Sequence, residues 1–437
     1  MRIVVRCQDA RAARAAQERL AAAGVEAIAV AGAAAAMRPA PEGEDILIID
    51  AQEEGIEGAA KFAEALTTQS SPLAVLAALR SDNPPPSGLK GVAPFSGAIA
   101  IDAPPALLKA QIRAASRAGV IAEERRRRRA TAEELGIAAP DLPEDRYLKA
   151  LYIGAPSPLF LSLERALAAH DGLVTAAFTS FSGFDHLHDE CFDAVVLNGA
   201  QDPTTAISLC AALRRNASLH YLPTMMMIAP DDTTTAAAAI ERGASAIASV
   251  NAPNGAPLGW LFEAIRRERS RRAAEADIRA LRDLMGDPRT GLFRRKPFET
   301  HLARMAAEHH VTGRSLAMAA LRVLPAHGAR APTEQTWRRG FTEISSLASR
   351  LVRDSDCGAA FGTDLIALAL PATSMKGGRR TCERVASVAE CTAFASGENG
   401  AGPLVFEQHV VEMQPGESGE ALLARALRVF TQESATA

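Results

Sequence analysis

The chain of 437 residues has no paired cysteines, few aromatic residues and little net charge. Its six cysteines form no CxxC pair, which argues against disulfide staples and favours free thiols in a reducing cytosol. Aromatic residues make up only 5% of the chain, so its cores have to be built from alanine, leucine, isoleucine and valine. The formal net charge of -3 argues against a protein that coats polyanions, and no nucleic-acid partner is expected.

Long apolar runs and metal-ligand clusters are absent as well. No run of about 20 apolar residues occurs, so no membrane span is expected. The N-terminus, Met-Arg-Ile-Val-Val-Arg, is typical of a strand and lacks the apolar region of a secretory signal. The pairs His186/His188 and His309/His310 have no cysteine or carboxylate at ligand spacing, so no zinc site is expected. These absences predict a cytoplasmic protein.

Apolar runs of strand length alternate with helical patterns over residues 1–122 and again over residues 148–270. This alternation predicts an α/β fold with open, mostly parallel sheets covered by helices on both faces. The two stretches share a detail, since Gly97-Ala-Ile-Ala-Ile-Asp-Ala-Pro104 matches Ser245-Ala-Ile-Ala-Ser-Val-Asn-Ala-Pro253. A period near 150 residues predicts two copies of one domain.

A helix rich in arginine follows each copy. The first contains Glu123-Glu124 and then five consecutive arginines, which point around the whole helix. We therefore interpret residues 123–147 as a solvated helical linker, with a nucleic-acid patch as the alternative. The second helix ends at Gly286-Asp287-Pro288, so residues 271–286 are predicted to be a linker helix. Residues 287–437 alternate helices with a strand and a hairpin, which predicts a third α/β domain with a mixed sheet.

The first two copies resemble response-regulator receiver domains, which have a flavodoxin-like fold around a five-stranded parallel sheet. A working receiver needs an acidic pair for Mg²⁺, an acceptor Asp, a Thr or Ser, and a Lys. In the first copy Asp50 stands at the acceptor position, so it is the candidate phosphoacceptor. The acidic pair reads Arg6-Cys7, the Thr position Ala77 and the Lys position Ile101. A strand-end Asp without this role is the alternative.

The second copy has lost every catalytic element of a receiver. Asn198 stands at the acceptor position, Gly154-Ala155 at the acidic pair, Ile228 at the Thr position and Val250 at the Lys position. The resemblance implies that this copy is a dimerisation or spacing module. Since receiver pairs commonly dimerise, a homodimer through these domains is one expectation.

The third domain resembles a GGDEF (diguanylate cyclase) domain. Its entry, Asp287-Pro-Arg-Thr-Gly-Leu-Phe-Arg-Arg-Lys-Pro-Phe298, is similar to the family's D-x-L-T-G-L-x-N-R-x-x-F. The family's metal-binding Asp is replaced by Ala320. The degenerate signature consists of five residues: Gly362, Thr363, Asp364, Leu365 and Ile366. Because one carboxylate cannot replace two or three, the resemblance implies no catalysis and no bound metal. Asp364 alone favours the alternative, a weak or residual cyclase.

A second site of the GGDEF family is intact in sequence. The R-x-x-D motif, Arg353-Asp-Ser-Asp356, precedes the signature by five residues, and a count from Pro371 places Arg384 at the third position. The resemblance implies that these residues bind cyclic di-GMP. Guanidinium forks suit phosphate and the Hoogsteen edge of guanine, and a carboxylate accepts from guanine N–H groups. A surface salt bridge between Arg353 and Asp356 is the alternative.

Two receivers followed by a GGDEF domain resemble the PleD-like proteins of alphaproteobacteria, and the losses resemble those of PopA-like members. This resemblance implies a cyclic di-GMP receptor and scaffold in cell-cycle control at the cell pole. Its partners there would be an adaptor and the substrate of a cytosolic protease. A phosphorelay adaptor switched at Asp50 is the remaining alternative.

Overall fold

The computed structural model describes residues 2–32, 45–52, 55–67, 71–85, 93–141, 147–251, 257–328, 332–392, 394–395 and 403–433. The chain is an α/β protein that divides into two compact units. The first unit comprises Met1–Val120 with Pro143–Ala273, and the second comprises Ile121–Leu142 with Ala274–Ala437. Within these described ranges, every helix is too short or too polar to cross a bilayer.

The first copy forms a five-stranded sheet in the first unit. Its strands β1 to β5 are Ile3–Cys7, Ile28–Ala31, Ile46–Asp50, Ala74–Leu79 and Gly97–Ala100. They pair in parallel in the order β2-β1-β3-β4-β5, which is the flavodoxin-like order. Helices α1 and α2 span Ala10–Ala22 and Gly55–Thr67, and α3 spans Pro105–Glu134. The run from Ile46 to Ile49 is at most 1% exposed, as expected for a strand covered on both faces.

The second copy repeats this topology, which confirms the predicted duplication. Its strands β6 to β10 are Lys149–Ile153, Leu173–Ala177, Ala194–Asn198, Thr224–Ile228 and Ala246–Ser249. The parallel order β10-β9-β8-β6-β7 is the same order read from the other edge. Helices α4 to α7 are Pro158–Ala168, Ser180–Asp189, Pro203–Arg215 and Thr233–Glu241. Asp202 and Asp232 cap α6 and α7 with side-chain oxygens that accept from Thr205 N and Thr235 N.

The second unit contains a four-stranded sheet. Its strands β11 to β14 are Leu316–Pro325, Cys357–Phe361, Leu365–Pro371 and Leu404–Glu412. The order is β12-β13-β11-β14 and these pairings are antiparallel, with one isolated parallel bridge between Phe293 and Ala359. Helices α8 to α12 are Leu258–Met285, Arg295–Thr312, Glu334–Leu351, Met375–Glu390 and Gly419–Glu433. Alternate residues of β11 enter two different cores, so the sheet is covered on both faces.

The arginine run of α3 differs from the prediction of a solvated linker. Helix α3 continues unbroken to Glu134, and residues 121–142 belong to the second unit. Arg127 and Arg128 are only 2% and 1% exposed, whereas the side chain of Arg126 is 63% exposed. Successive helical residues do point around the helix, as predicted. The prediction was wrong about the surroundings, because one side of this helix is packed against protein.

Candidate functional site

The R-x-x-D motif forms a turn between α10 and β12. The backbone N–H of Asp356 donates to the carbonyl oxygen of Arg353 at 2.9 Å. The backbone N–H of Arg353 donates in return to Asp356 Oδ2, also at 2.9 Å. These reciprocal bonds close the turn, so the carboxylate of Asp356 is part of the local structure.

Asp356 is buried, with 7% of its surface exposed. Desolvation raises the pKa of its carboxyl to about 6. The hydrogen bond from Arg353 N acts in the opposite direction, because it lowers this pKa. The charge of Arg353 also acts to lower the pKa of Asp356, but the two side chains are not within ion-pair distance. Direct contact between Asp356 and a ligand stays a prediction, since its carboxylate is directed to the turn.

The two arginines predicted to bind the ligand are exposed and lie near the same helix end. Arg384, on α11, donates from Nη2 to the carbonyl oxygen of Leu351 at 2.9 Å. Leu351 is the last residue of α10, two residues before Arg353. The guanidinium of Arg353 has no hydrogen-bond or ion-pair partner in the described part of the chain. The structure thus brings Arg353 and Arg384 to one surface, where donors are available to an anion.

Helix α8 adds two arginines that sequence reasoning missed. Arg279 donates from Nη2 to Asp354 Oδ2 at 2.8 Å, within the R-x-x-D turn. Arg282 lines a small pocket with Arg353, and its buried Nε has no hydrogen-bond partner. The spacing of three residues places both on one helix face, which is the signal that could have found them. The pocket holds about 10 Å³, room for a single water at most.

Arg128 anchors the same turn from inside the protein. Its Nη2 donates to the carbonyl oxygens of Asp354 and Asp356 at 2.8 and 3.0 Å. Its Nη1 donates to the carbonyl oxygen of Ile278 at 3.0 Å, and its Nε donates to Glu124 Oε1 at 2.7 Å. The motif is therefore held by a buried side chain that lies more than 200 residues earlier in the chain.

Glu124 is the fully buried carboxylate of this network. Burial alone would raise its pKa, but His301, Arg128 and Arg127 together outweigh burial and lower it to about 2. His301 Nε2 lies 3.0 Å from Glu124 Oε1, and Arg127 Nη1 donates to Glu124 Oε2 at 3.2 Å. The carboxylate thus stays ionised because each of its oxygens has a charged or polar partner.

The degenerate signature lies at the turn between β12 and β13. Gly362 has φ of +74°, and Thr363 offers its carbonyl oxygen to Trp337 Nε1 at 2.9 Å. Asp364 Oδ2 accepts from Arg322 Nε at 3.0 Å. Arg322 Nη1 also lies 3.8 Å from Glu407 Oε2, so the two carboxylates share one guanidinium, whose positive charge would oppose a divalent cation at Asp364.

The signature has little else to offer a metal. Leu365 and Ile366 are buried strand residues, and Ala320 is fully buried in β11. Among the described residues, no cluster of three or more His, Cys, Asp or Glu side chains could hold a metal ion.

The first copy places Asp50 at the carboxyl end of β3, half-buried. Its Oδ1 accepts from the backbone N and the Nε2 of Gln52, at 3.1 and 3.0 Å. The nearby Asp9 caps α1 by accepting from Arg11 N and Ala12 N, each at 2.7 Å. Cys7 is buried, and desolvation, then Asp50 and Asp9, raise its pKa to about 12. A neutral thiol and a capping carboxylate make a poor Mg²⁺ site.

In the second copy, Asn198 at the carboxyl end of β8 makes structural contacts. Asn198 Nδ2 donates to Tyr152 Oη at 3.0 Å and to the carbonyl oxygen of Ala155 at 2.7 Å. Its Oδ1 accepts from Ala200 N at 3.1 Å. Gly154 has φ of +128°, and a Cβ there would lie 2.9 Å from the Cβ of Asn198. The amide therefore ties the ends of two strands together, and the close approach favours glycine.

No family model and no curated protein matches the chain. The comparison with solved structures did find similar proteins. The GGDEF domain of DgcB from Caulobacter crescentus, in complex with c-di-GMP, is 22% identical; the match covers 35% of this chain and 92% of that one, with TM-score 0.30. The FimX GGDEF domain of Pseudomonas aeruginosa is 16% identical, with coverages of 35% and 95% and TM-score 0.28. The RcsC C-terminus of E. coli, a linker region and phosphoreceiver domain, is 15% identical, with coverages of 61% and 95% and TM-score 0.24. At such values the function has to be argued from the residues of this chain.

Proposed function

We propose that this chain is a non-catalytic receptor for cyclic di-GMP and a signalling scaffold. In this proposal two degenerate receiver domains precede a degenerate GGDEF domain, in a PopA-like or PleD-like layout. The observation that carries it is the pair of exposed guanidinium groups, Arg353 and Arg384, at the end of α10. The guanidinium of Arg353 has no hydrogen-bond or ion-pair partner among the described residues, and a ligand phosphate would supply one.

Cyclic di-GMP has the chemistry that this surface can bind. Its phosphates and the Hoogsteen edges of its guanines accept hydrogen bonds from guanidinium forks. We assign these contacts to Arg353 and Arg384, with Asp356 holding the turn and as the predicted partner of a guanine N–H. Arg282 lines the pocket beside Arg353; its Nε has no hydrogen-bond partner among the described residues, and it lies 3.6 Å from Asp283 Oδ1. Because the pocket at the turn has room for about one water, the dinucleotide would lie across the surface.

The same proposal excludes cyclase chemistry. A cyclase needs carboxylates that hold Mg²⁺ on the triphosphate of GTP. Here Asp364 is paired with Arg322, while Ala320 and Leu365 offer no ligand atom. A weak cyclase would depend on Asp364 alone. No metal is therefore part of the proposed function.

The PopA-like resemblance extends the proposal to the cell. The loaded scaffold would bring an adaptor and a protease substrate together at the cell pole, in control of the cell cycle. The receiver copies would serve as dimerisation or spacing modules. A fluorescent fusion of the wild type should then form polar foci in its host, and Arg353→Ala should stay diffuse in the cytoplasm.

Calorimetry with cyclic di-GMP tests the binding step on the wild type and on Arg353→Ala. A charge-assisted hydrogen bond contributes roughly 1.5–3 kcal/mol, so the variant should bind about 10- to 150-fold more weakly. The melting temperature without ligand should not change, because Arg353 is exposed and makes no side-chain contact that the fold needs.

Arg350→Ala is the matched control. Arg350 is also exposed, lies one turn earlier on α10, and donates only to the carbonyl oxygen of Ser346. It should bind cyclic di-GMP as the wild type does. If Arg353→Ala binds as tightly as Arg350→Ala, the R-x-x-D motif does not take part in binding and the receptor proposal fails.

A further inference from the structure

A cavity of about 240 Å³ lies in the first unit, well apart in sequence from the R-x-x-D turn. Its walls come from the first half of α3, from the segments that lead into β9 and β10, and from the first half of α8. Four arginines line it: Arg117, Arg214, Arg267 and Arg271. Two glutamates, Glu263 and Glu268, line it as well. The lining therefore carries an excess of positive charge.

Three of these arginines donate hydrogen bonds to acceptors within the protein. Arg267 Nη2 donates to Glu263 Oε1 at 2.9 Å, and Arg271 Nη2 donates to Glu268 Oε1 at 2.7 Å. Arg214 donates to several backbone carbonyl oxygens, including that of Gly243 at 3.0 Å. The two glutamates are thus used by two of the cations.

Arg117 is the fourth arginine, and it differs from the other three in its contacts. Its guanidinium carbon lies 4.9 Å from the centroid of the Tyr221 ring, and that of Arg271 lies 4.6 Å from the same centroid. Among the described residues no carboxylate lies within ion-pair distance of Arg117, which is exposed at the rim of the cavity. Stacking on a ring leaves the N–H edge of a guanidinium open, so Arg117 can still donate to an anion.

The remaining wall is apolar and limits the size of a ligand. Leu107, Ala110, Ala114, Pro223 and Trp260 line it. Sites for drug-sized ligands begin at about 300 Å³, so this cavity suits something smaller than a dinucleotide. An aromatic or aliphatic body would bury its surface against this wall, while a negative group faces the arginines.

We propose that this cavity binds a small organic anion, with one phosphate or carboxylate group on an apolar body, and that Arg117 is the residue that binds the negative group. The site is independent of cyclic di-GMP and does not rest on the proposed function. Phosphate and carboxylate groups both present two or more oxygens that can accept hydrogen bonds from a guanidinium fork.

Fluorescence offers a local readout, since the chain has only two tryptophans. Trp260 lines the cavity, and Trp337→Phe in the full chain leaves it as the single reporter. Phenyl phosphate and benzoate are the probes, excited at a wavelength that they do not absorb, with calorimetry in parallel. Phenol is the neutral control. At least one anion should give a saturable change that phenol does not, and binding should weaken at high salt.

Arg117→Gln in this background should weaken binding of that anion about tenfold or more, because a charge-assisted bond is lost. Arg113→Gln is the matched control, since Arg113 is exposed on the same helix, one turn away, and does not line the cavity. Both variants should bind cyclic di-GMP as the unsubstituted chain does, so a failure here is distinct from a failure of the receptor proposal. The proposal is overturned if neither anion binds at up to about 10 mM. It is also overturned if phenol binds equally well, or if Arg117→Gln binds as Arg113→Gln does.

Discussion

Replacing Arg128 by alanine removes four hydrogen bonds from a side chain that is 1% exposed. The change leaves Glu124 with a buried charge that has lost one cation, and it leaves the carbonyl oxygens of Asp354 and Asp356 short of a donor. Removing one partner of a buried ion pair typically costs about 3–5 kcal/mol. For a unit of 150–250 residues this corresponds to a fall in melting temperature of roughly 6–20 °C.

Arg126→Ala is the control, because it lies in the same arginine run yet is 63% exposed, with Glu308 as its partner at 3.1 Å. A surface pair contributes about 0–1 kcal/mol, so this variant should melt close to the wild type. Thermal unfolding can be followed in a Trp260→Phe background, where Trp337 on α10 reports on the second unit alone. A separate readout is needed because two units need not unfold in one transition.

The reasoning would be refuted by equal losses in the two variants. Such a result would mean that the arginine run is solvated, as the sequence pattern alone suggests. A double variant adds a second check: the loss of stability in Arg128→Ala with Glu124→Gln should be smaller than the sum of the two single losses, because the Glu124–Arg128 pair is lost in either single variant. If the double variant is less stable by the full sum of the two single losses, the two side chains do not interact.

Three further outcomes are expected. Purified protein given GTP and Mg²⁺ or Mn²⁺ should form no cyclic di-GMP, because Ala320 and Leu365 cannot bind a metal; product at a rate typical of cyclases would contradict this. Acetyl phosphate should not phosphorylate any residue within 148–270. Asn198→Asp should lower the free energy of unfolding, since a carboxylate there would repel the carbonyl oxygen of Ala155, and it should not lead to phosphorylation. The pKa of Asp356 is raised from 3.8 to about 6 in the folded state, so folding favours the protonated carboxyl. This stabilisation is fully present below about pH 4 and is lost as the pH rises through 6. The difference in free energy of unfolding between the wild type and Asp356→Asn should change by about 3 kcal/mol across this window. If that difference is the same from pH 4 to 7, the prediction is refuted.

The sheets were predictable because their strands are short apolar runs that alternate with helical patterns. The run from Ile46 to Ile49 could only be buried on both faces, and the repeated segment near Ala98 and Ala246 marked a second copy of the same topology. The R-x-x-D turn was predictable for a similar reason, since four adjacent residues make it. Arg384 was placed by a count from Pro371, and in the structure it donates to the carbonyl oxygen of Leu351 at the end of α10.

The buried arginines were not predictable, because their partners are distant in sequence. The bond from Arg128 to Asp354 spans 226 residues, and its acceptor is a backbone carbonyl that every residue possesses. Only the Glu124–Arg128 spacing of four residues was visible, and it fits a solvated helix equally well. The inward direction of Asp356 was hidden for the same reason, since a carboxylate in a turn can bond to its own backbone or face solvent.

The residues compared above with catalytic positions differ from Arg353 in the contacts that they make. Asn198 bonds to two strand ends, Asp364 accepts from Arg322, and Ala320 packs in a core, so each of these three residues has a structural contact. Arg353 has no such contact, although an exposed arginine gives up side-chain entropy if it is held in place for any purpose. In the proposed receptor, a phosphate of the ligand would supply the acceptor that this guanidinium lacks among the described residues.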